Sequence, residues 1–170
     1  MIPDTVATTT ASLCRVLAPL LGYPTPALPV QVRAAAEALR AAQSRAAGPL
    51  EAFAAFVADA SPGALEELYT RTFDLRPVAY PYVGFQLFGE TYRRGEFLVL
   101  LQARYHAAGF AVEGELPDHL AVITRFVAEH PDPDLVAEGV IPALEKMLPA
   151  LMDNPYRLVL QGLLLVMQGK

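Results

Sequence analysis

Apolar residues along this chain recur at spacings of three and four within blocks of helix length, and Pro or Gly stands between most blocks. Alternating β-branched runs, which would signal strands, are missing, and Ala, Leu, Glu and Arg dominate. The pattern therefore predicts an all-α fold, a multi-helix bundle forming a single domain over residues 1–170. A first helix starts after Asp4 or Thr5 and presents Leu13, Val16, Leu17, Leu20 and Leu21, with Pro19 kinking or ending it and Gly22-Tyr23-Pro24 breaking it. A second is expected from about Pro29 to Ala46, with Val32, Ala36 and Leu39 on one face. A third carries Phe53, Phe56 and Val57. Ser61-Pro62 is a start signal for a fourth that displays Leu65, Leu68, Tyr69 and Phe73.

From Asp74 to Pro81 the sequence must be a loop, because Pro77 and Pro81 remove backbone donors and restrict the residues before them. A short helix near Val83–Phe88 and a long one from about Thr91 to Ala108 follow, closed by Gly109. The next is expected to open with Pro117 and run to about His130. Asp134–Met152 should be broken at Gly139 and Pro142, and a last helix begins near Pro155.

Composition narrows the function. Charged residues make up only 18% and apolar ones 54%, a balance common where apolar surface awaits a partner. A net charge of −5 leaves no basic face for phosphates, so no nucleic acid is expected as partner. Cys14 is the lone cysteine, so an internal disulfide is impossible, and with His106, His119 and His130 as companions a metal site is not expected. The N-terminus carries no export pattern, and the apolar run Leu158–Met167 falls short of the ~20 residues that span a bilayer. No membrane span and a cytoplasmic setting are the expectation.

Candidate chemistry concentrates between Phe73 and Leu120. Gly84 to Thr91 has the glycine spacing of a phosphate-binding loop but places Glu90 where its Lys belongs, so a mononucleotide site is rejected. Arg93-Arg94 lies mid-chain and is read as part of a helix, with Arg94 paired to Glu90 four residues earlier and its stem packed beside Phe97, Leu98 and Leu101. His119 falls within an apolar arc of Leu120, Val122, Ile123, Phe126 and Val127. On the residues alone it is a packed core histidine beside a helix-start carboxylate, Asp118. No nucleophile or metal motif of a known enzyme class is present. Tyr80, Tyr82, Phe85, Phe88 and Tyr92 cluster around prolines near Asp74, Glu90, Glu115 and Asp118, which suits a groove for an apolar, basic peptide. A hydrolase-type enzyme using Glu115, Asp118 and His119, and a plain helical scaffold, remain as alternatives.

Certain residues also resemble a known family, the redox-enzyme maturation chaperones, and within it the nitrate reductase assembly chaperones. They are Phe73-Asp74-Leu75, Gly89-Glu90-Thr91 with Arg94-Gly95, and Glu115-Leu116-Pro117-Asp118-His119-Leu120, with weaker support from Leu20 to Pro24. The resemblance implies an all-helical, non-enzymatic chaperone without a permanently bound cofactor. It would bind the twin-arginine-like N-terminal peptide of a molybdoenzyme catalytic subunit, of the nitrate reductase alpha type, and hold the apo-subunit for molybdenum cofactor insertion. Carried over by position, Glu115, Pro117, Asp118 and His119 belong to the signature. Asp74, Tyr80, Tyr82, Phe85, Glu90 and Arg94, on the loop and helices before it, would help line the peptide groove.

Overall fold

The computed structural model describes residues 3–170, with side chains from residue 9 onward, and the described chain is helical throughout with no strand beyond one isolated bridge. Helix α1 (Pro3–Leu17) continues into a 3-10 turn, Ala18–Leu21, where Pro19 tightens the rod without ending it. The expected helix start after Asp4 or Thr5 lies among residues whose side chains are outside this description.

Helices α2 (Leu28–Ala41) and α3 (Ala47–Asp59) form a hairpin. The second helix stops five residues before the Ala46 expected from sequence. Gln43 takes the left-handed conformation at φ 55°, Ser44 donates back to the Leu39 carbonyl at 2.9 Å, and Gln43 donates to Arg40 at 2.9 Å. That closing motif normally carries glycine, which is why its sequence signal is missing. In α4 (Pro62–Tyr69) the Ser61 hydroxyl accepts from the Ala64 N–H at 3.2 Å, as its N-cap pattern predicts. The helix then widens into a π turn, Thr70–Asp74, which buries Phe73.

Helices α5 (Val83–Phe88) and α6 (Tyr92–Ala107) follow the loop, and Gly109 at φ 66° closes α6 as expected. Next come α7 (Leu120–Glu129), α8 (Pro133–Leu135), α9 (Ile141–Met147) and α10 (Tyr156–Met167). The expected break at Gly139 and Pro142 does not occur. A π turn, Val136–Val140, joins α8 to α9, and its wider circuit gives the proline ring room where a tight helix would clash.

Packing runs in sequence across the molecule. The α2–α3 hairpin lies on α1 and α10, which lie in turn on α7 and α9, and α5 rests on α9 and carries α6 at the far edge. Tyr156, 1% exposed, sits among Phe53, Tyr69 and Phe73 with ring centroids 5.0–5.9 Å away. Glycine permits one close crossing: a Cβ on Gly162 would collide with the Leu50 side chain, so α10 approaches α3 there without a side chain between them. Cys14 is fully buried and its thiol is pushed up to about 12 by burial, which leaves it unreactive.

Candidate functional site

Two short extended segments meet ahead of α5 and α7. Val83 N–H donates to the Asp118 carbonyl at 2.8 Å and Leu120 N–H to the Pro81 carbonyl at 2.8 Å, an antiparallel bridge that sets Tyr82 beside His119. Their rings stand edge-on with centroids 5.4 Å apart. This bridge overrides the helix start expected at Pro117. Leu116 to His119 instead forms a turn, with His119 N–H on the Leu116 carbonyl at 3.1 Å, and α7 begins at Leu120. His119 is its N-cap: Nδ1 accepts from the Ala121 N–H at 3.1 Å. The neutral ring therefore carries its proton on Nε2.

Asp118 is fully buried, and Arg94 reaches it from α6 with two bonds, Nε to Oδ2 at 3.1 Å and NH2 to Oδ1 at 3.3 Å. The expected pairing of Arg94 with Glu90 is thereby replaced. A carboxylate inside the protein must be paired, whereas exposed Glu90 is satisfied by water. The same guanidinium lies 5.3 Å from the Tyr82 ring centroid and 5.9 Å from that of Phe85, whose ring packs 4.1 Å from Tyr80. Gly84 makes this junction possible, since a Cβ there would stand 2.7 Å from Asp118 Oδ2 and 2.8 Å from Phe97 Cδ1. The Tyr105 hydroxyl donates to the Pro117 carbonyl at 2.8 Å and fixes the turn from the other side.

Burial lowers the basicity of His119, while the charges of Glu115 and Asp118 work in the opposite direction. The Tyr82 phenol is raised, first by its burial and then by Glu115 and Asp118. Both oxygens of Asp118 are taken up by Arg94 and Nδ1 of His119 by the Ala121 N–H, and the Glu115, Asp118, His119 set of the hydrolase alternative is divided between surface and interior.

The sequence-selected residues thus form two groups. Arg94, Asp118 and His119 make the interior of the junction, with Phe85 over it and Pro117 in the turn. Tyr80, Asp74, Glu90 and Glu115 are exposed and Tyr82 half-buried. Burial raises the Tyr69 phenol, and Glu115, Tyr82 and Asp74 add to that rise. The Tyr82 hydroxyl lies 3.5 Å from Glu115 Oε2.

Glu115 also borders a groove of 490 Å³ that sequence reasoning did not find. Ala18 and Pro19 form one wall, and Ala121, Val122 and Ala128 of α7 form the other. Its two arginines are turned to backbone: Arg15 donates to the Ala128 carbonyl at 3.4 Å, and Arg125 to that of Ala111 while covering the Phe110 ring at 4.5 Å. The rim carboxylates Glu113, Glu115 and Glu129 are exposed, and the ion pairs among the described residues are Arg40–Glu51, Arg94–Asp118 and Arg104–Asp132. The available sequence signal was Arg15, the basic residue in the last turn of α1.

Among the described residues no helix is long and apolar enough to cross a membrane, and no cluster of His, Cys, Asp and Glu is placed to hold a metal. The family model described as "Nitrate reductase delta subunit" matches residues 27–152. No curated protein matches the chain. The chain belongs to the nitrate reductase delta subunit family, whose members are maturation factors rather than catalytic subunits, and its role lies in nitrate reductase maturation.

Proposed function

We propose that this protein is a cytoplasmic chaperone that binds the N-terminal, twin-arginine-like peptide of the molybdenum-containing catalytic subunit of nitrate reductase and holds the apo-subunit for cofactor insertion. The observation that carries the reading is the groove between the end of α1 and α7: an apolar floor under three carboxylates, with both of its arginines held by backbone carbonyls. A peptide with alternate apolar and basic side chains matches such a surface, apolar groups against Pro19 and Val122 and guanidinium groups at Glu113, Glu115 and Glu129. Tyr82, whose hydroxyl lies 3.5 Å from Glu115 Oε2, adjoins that rim. The molybdenum cofactor belongs to the client, and no residue here is assigned to it.

Calorimetric titration of the full chain with N-terminal peptides of the reductase subunit tests this. Saturable binding is expected, weakened about twofold to fivefold by each of Glu113→Gln, Glu115→Gln and Glu129→Gln, as for exposed ion pairs, and weakened further by salt. Titrations without heat or signal across several such peptides would return the protein to the scaffold alternative.

A further inference from the structure

Arg125 lines the groove beside Glu113, Glu115 and Glu129, yet it forms no ion pair with any of them. Its guanidinium donates instead to the Ala111 carbonyl and lies 4.5 Å from the centroid of the Phe110 ring. Phe110 is buried, with the ring centroids of Tyr105 and Phe126 5.1 and 5.3 Å away, so the guanidinium rests on the packed interior.

The carbonyl it holds begins the segment that supplies two of the groove's carboxylates. Residues 111–115 run outside any helix, and Gly114 bends them at φ 73°. The backbone is fixed on either side, by Phe110 N–H on the Tyr105 carbonyl at 2.8 Å and by His119 N–H on the Leu116 carbonyl at 3.1 Å. Between these points Arg125 makes the one hydrogen bond from another element to the segment's backbone among the described residues. Val112 packs half-buried against the core, and Glu115 Oε2 accepts from the N–H of its own neighbour Leu116 at 3.3 Å. Arg125 and Glu129 share α7, so the bond to Ala111 sets the carboxylates of the segment at a defined separation from that of the helix.

Resting on the peptide-binding reading of this groove, we propose that Arg125 is its positioning residue, a latch that holds residues 111–115 against α7 so that Glu113, Glu115 and Glu129 meet one basic peptide together. The charge and the latch act with opposite signs. As a cation beside a basic peptide Arg125 repels it, and removing one exposed charge would tighten binding by at most about fivefold. As a latch it spares the peptide the ordering of the segment, and fixing even two released residues costs at least about tenfold. The latch outweighs the charge, so loss of Arg125 weakens binding.

Calorimetric titration of the full chain with N-terminal peptides of the reductase subunit, beside backbone nitrogen relaxation of the free protein, is the test. Arg125→Met is expected to bind at least about twofold more weakly than wild type. Order parameters over residues 112–115 should fall toward about 0.6 while those of α7 stay near about 0.85. Arg15→Met, which removes the same charge from the groove without touching the segment, should tighten binding. In the Arg125→Met background, Glu113→Gln should lose most of its twofold to fivefold effect, because its carboxylate is no longer held in place. An Arg125→Met affinity equal to or above wild type, unchanged order parameters in the segment, or an undiminished Glu113→Gln effect would overturn the latch and leave the groove reading standing. A wild type that binds none of these peptides would overturn both.

Discussion

Removing the Asp118 carboxylate tests whether the buried junction is architecture or recognition surface. Asp118→Ala leaves Arg94 with an 18% exposed side chain and no anion. Deleting one partner of a buried pair costs about 3–5 kcal/mol, because the charge left behind has lost its solvation and gained nothing. Arg94 keeps partial access to water and the ring faces of Tyr82 and Phe85, so Asp118→Ala is expected at the lower end, about 3 kcal/mol. The converse, Arg94→Met, strands a fully buried carboxylate and belongs at the upper end, about 5 kcal/mol. The double variant contains no stranded charge and should cost less than the sum of the two by about 2 kcal/mol or more. Urea unfolding followed by circular dichroism, with the slope held common, measures all four corners of this cycle. A loss below about 1 kcal/mol for Asp118→Ala, additive single effects, or Arg94→Met milder than Asp118→Ala would refute the reasoning.

Two further outcomes follow from the same region. Gly84→Ala should destabilise by about 1–3 kcal/mol through overpacking against Asp118 and Phe97, less about 0.5–1 kcal/mol of helix propensity; Gly95→Ala on α6, where a Cβ meets nothing within 4 Å, should instead stabilise, and urea midpoints report both. His119 has its folded pKa held below 6.5, so the unfolded chain takes up its proton first as pH falls, and the neutral-ring contribution is complete above 6.5 and declines below it toward the folded value. His119→Asn keeps an N-cap acceptor but does not titrate, so the wild-type minus variant difference in unfolding free energy should shrink as pH is lowered through 6.5; a difference independent of pH would refute the burial argument.

The fold class and most of the helices were legible because they rest on local signals: apolar spacing, Ser61-Pro62, Gly109 and the prolines of the loop. The errors fall where distant residues decide. Arg94 is four residues from Glu90 and 24 residues from Asp118, and nothing local says that the distant carboxylate will be buried. Burial reverses the preference, since only the buried group needs the cation. Pro117 reads as a helix start, yet the bridge between Pro81–Val83 and Asp118–Leu120 holds Asp118 and His119 extended until Leu120. The end of α2 escaped for a smaller reason: Gln43 occupies the left-handed position that glycine normally advertises. The groove was missed because it is assembled from α1, α7 and the turn at Glu115, none of which shows a shared pattern in sequence.

Asp118 ties the most recognisable motif in the chain into the architecture of the junction. Its carbonyl holds Val83 at the start of α5, its carboxylate holds Arg94 on α6, and its neighbour His119 caps α7, so one dipeptide fixes three helices. A change at either position has to be compensated in several elements at once, whereas Glu113, Glu115 and Glu129 can change one by one at the rim without disturbing the fold. Discrimination among client peptides is therefore expected to reside in those rim carboxylates and in Tyr82. Substitutions in the Asp118 junction should lower peptide affinity only in proportion to the helical structure they unfold. Peptide titrations of Asp118→Ala at a temperature where it is fully folded decide the point: near wild-type affinity supports the division, and a loss greater than that of Glu115→Gln would place Asp118 in direct recognition.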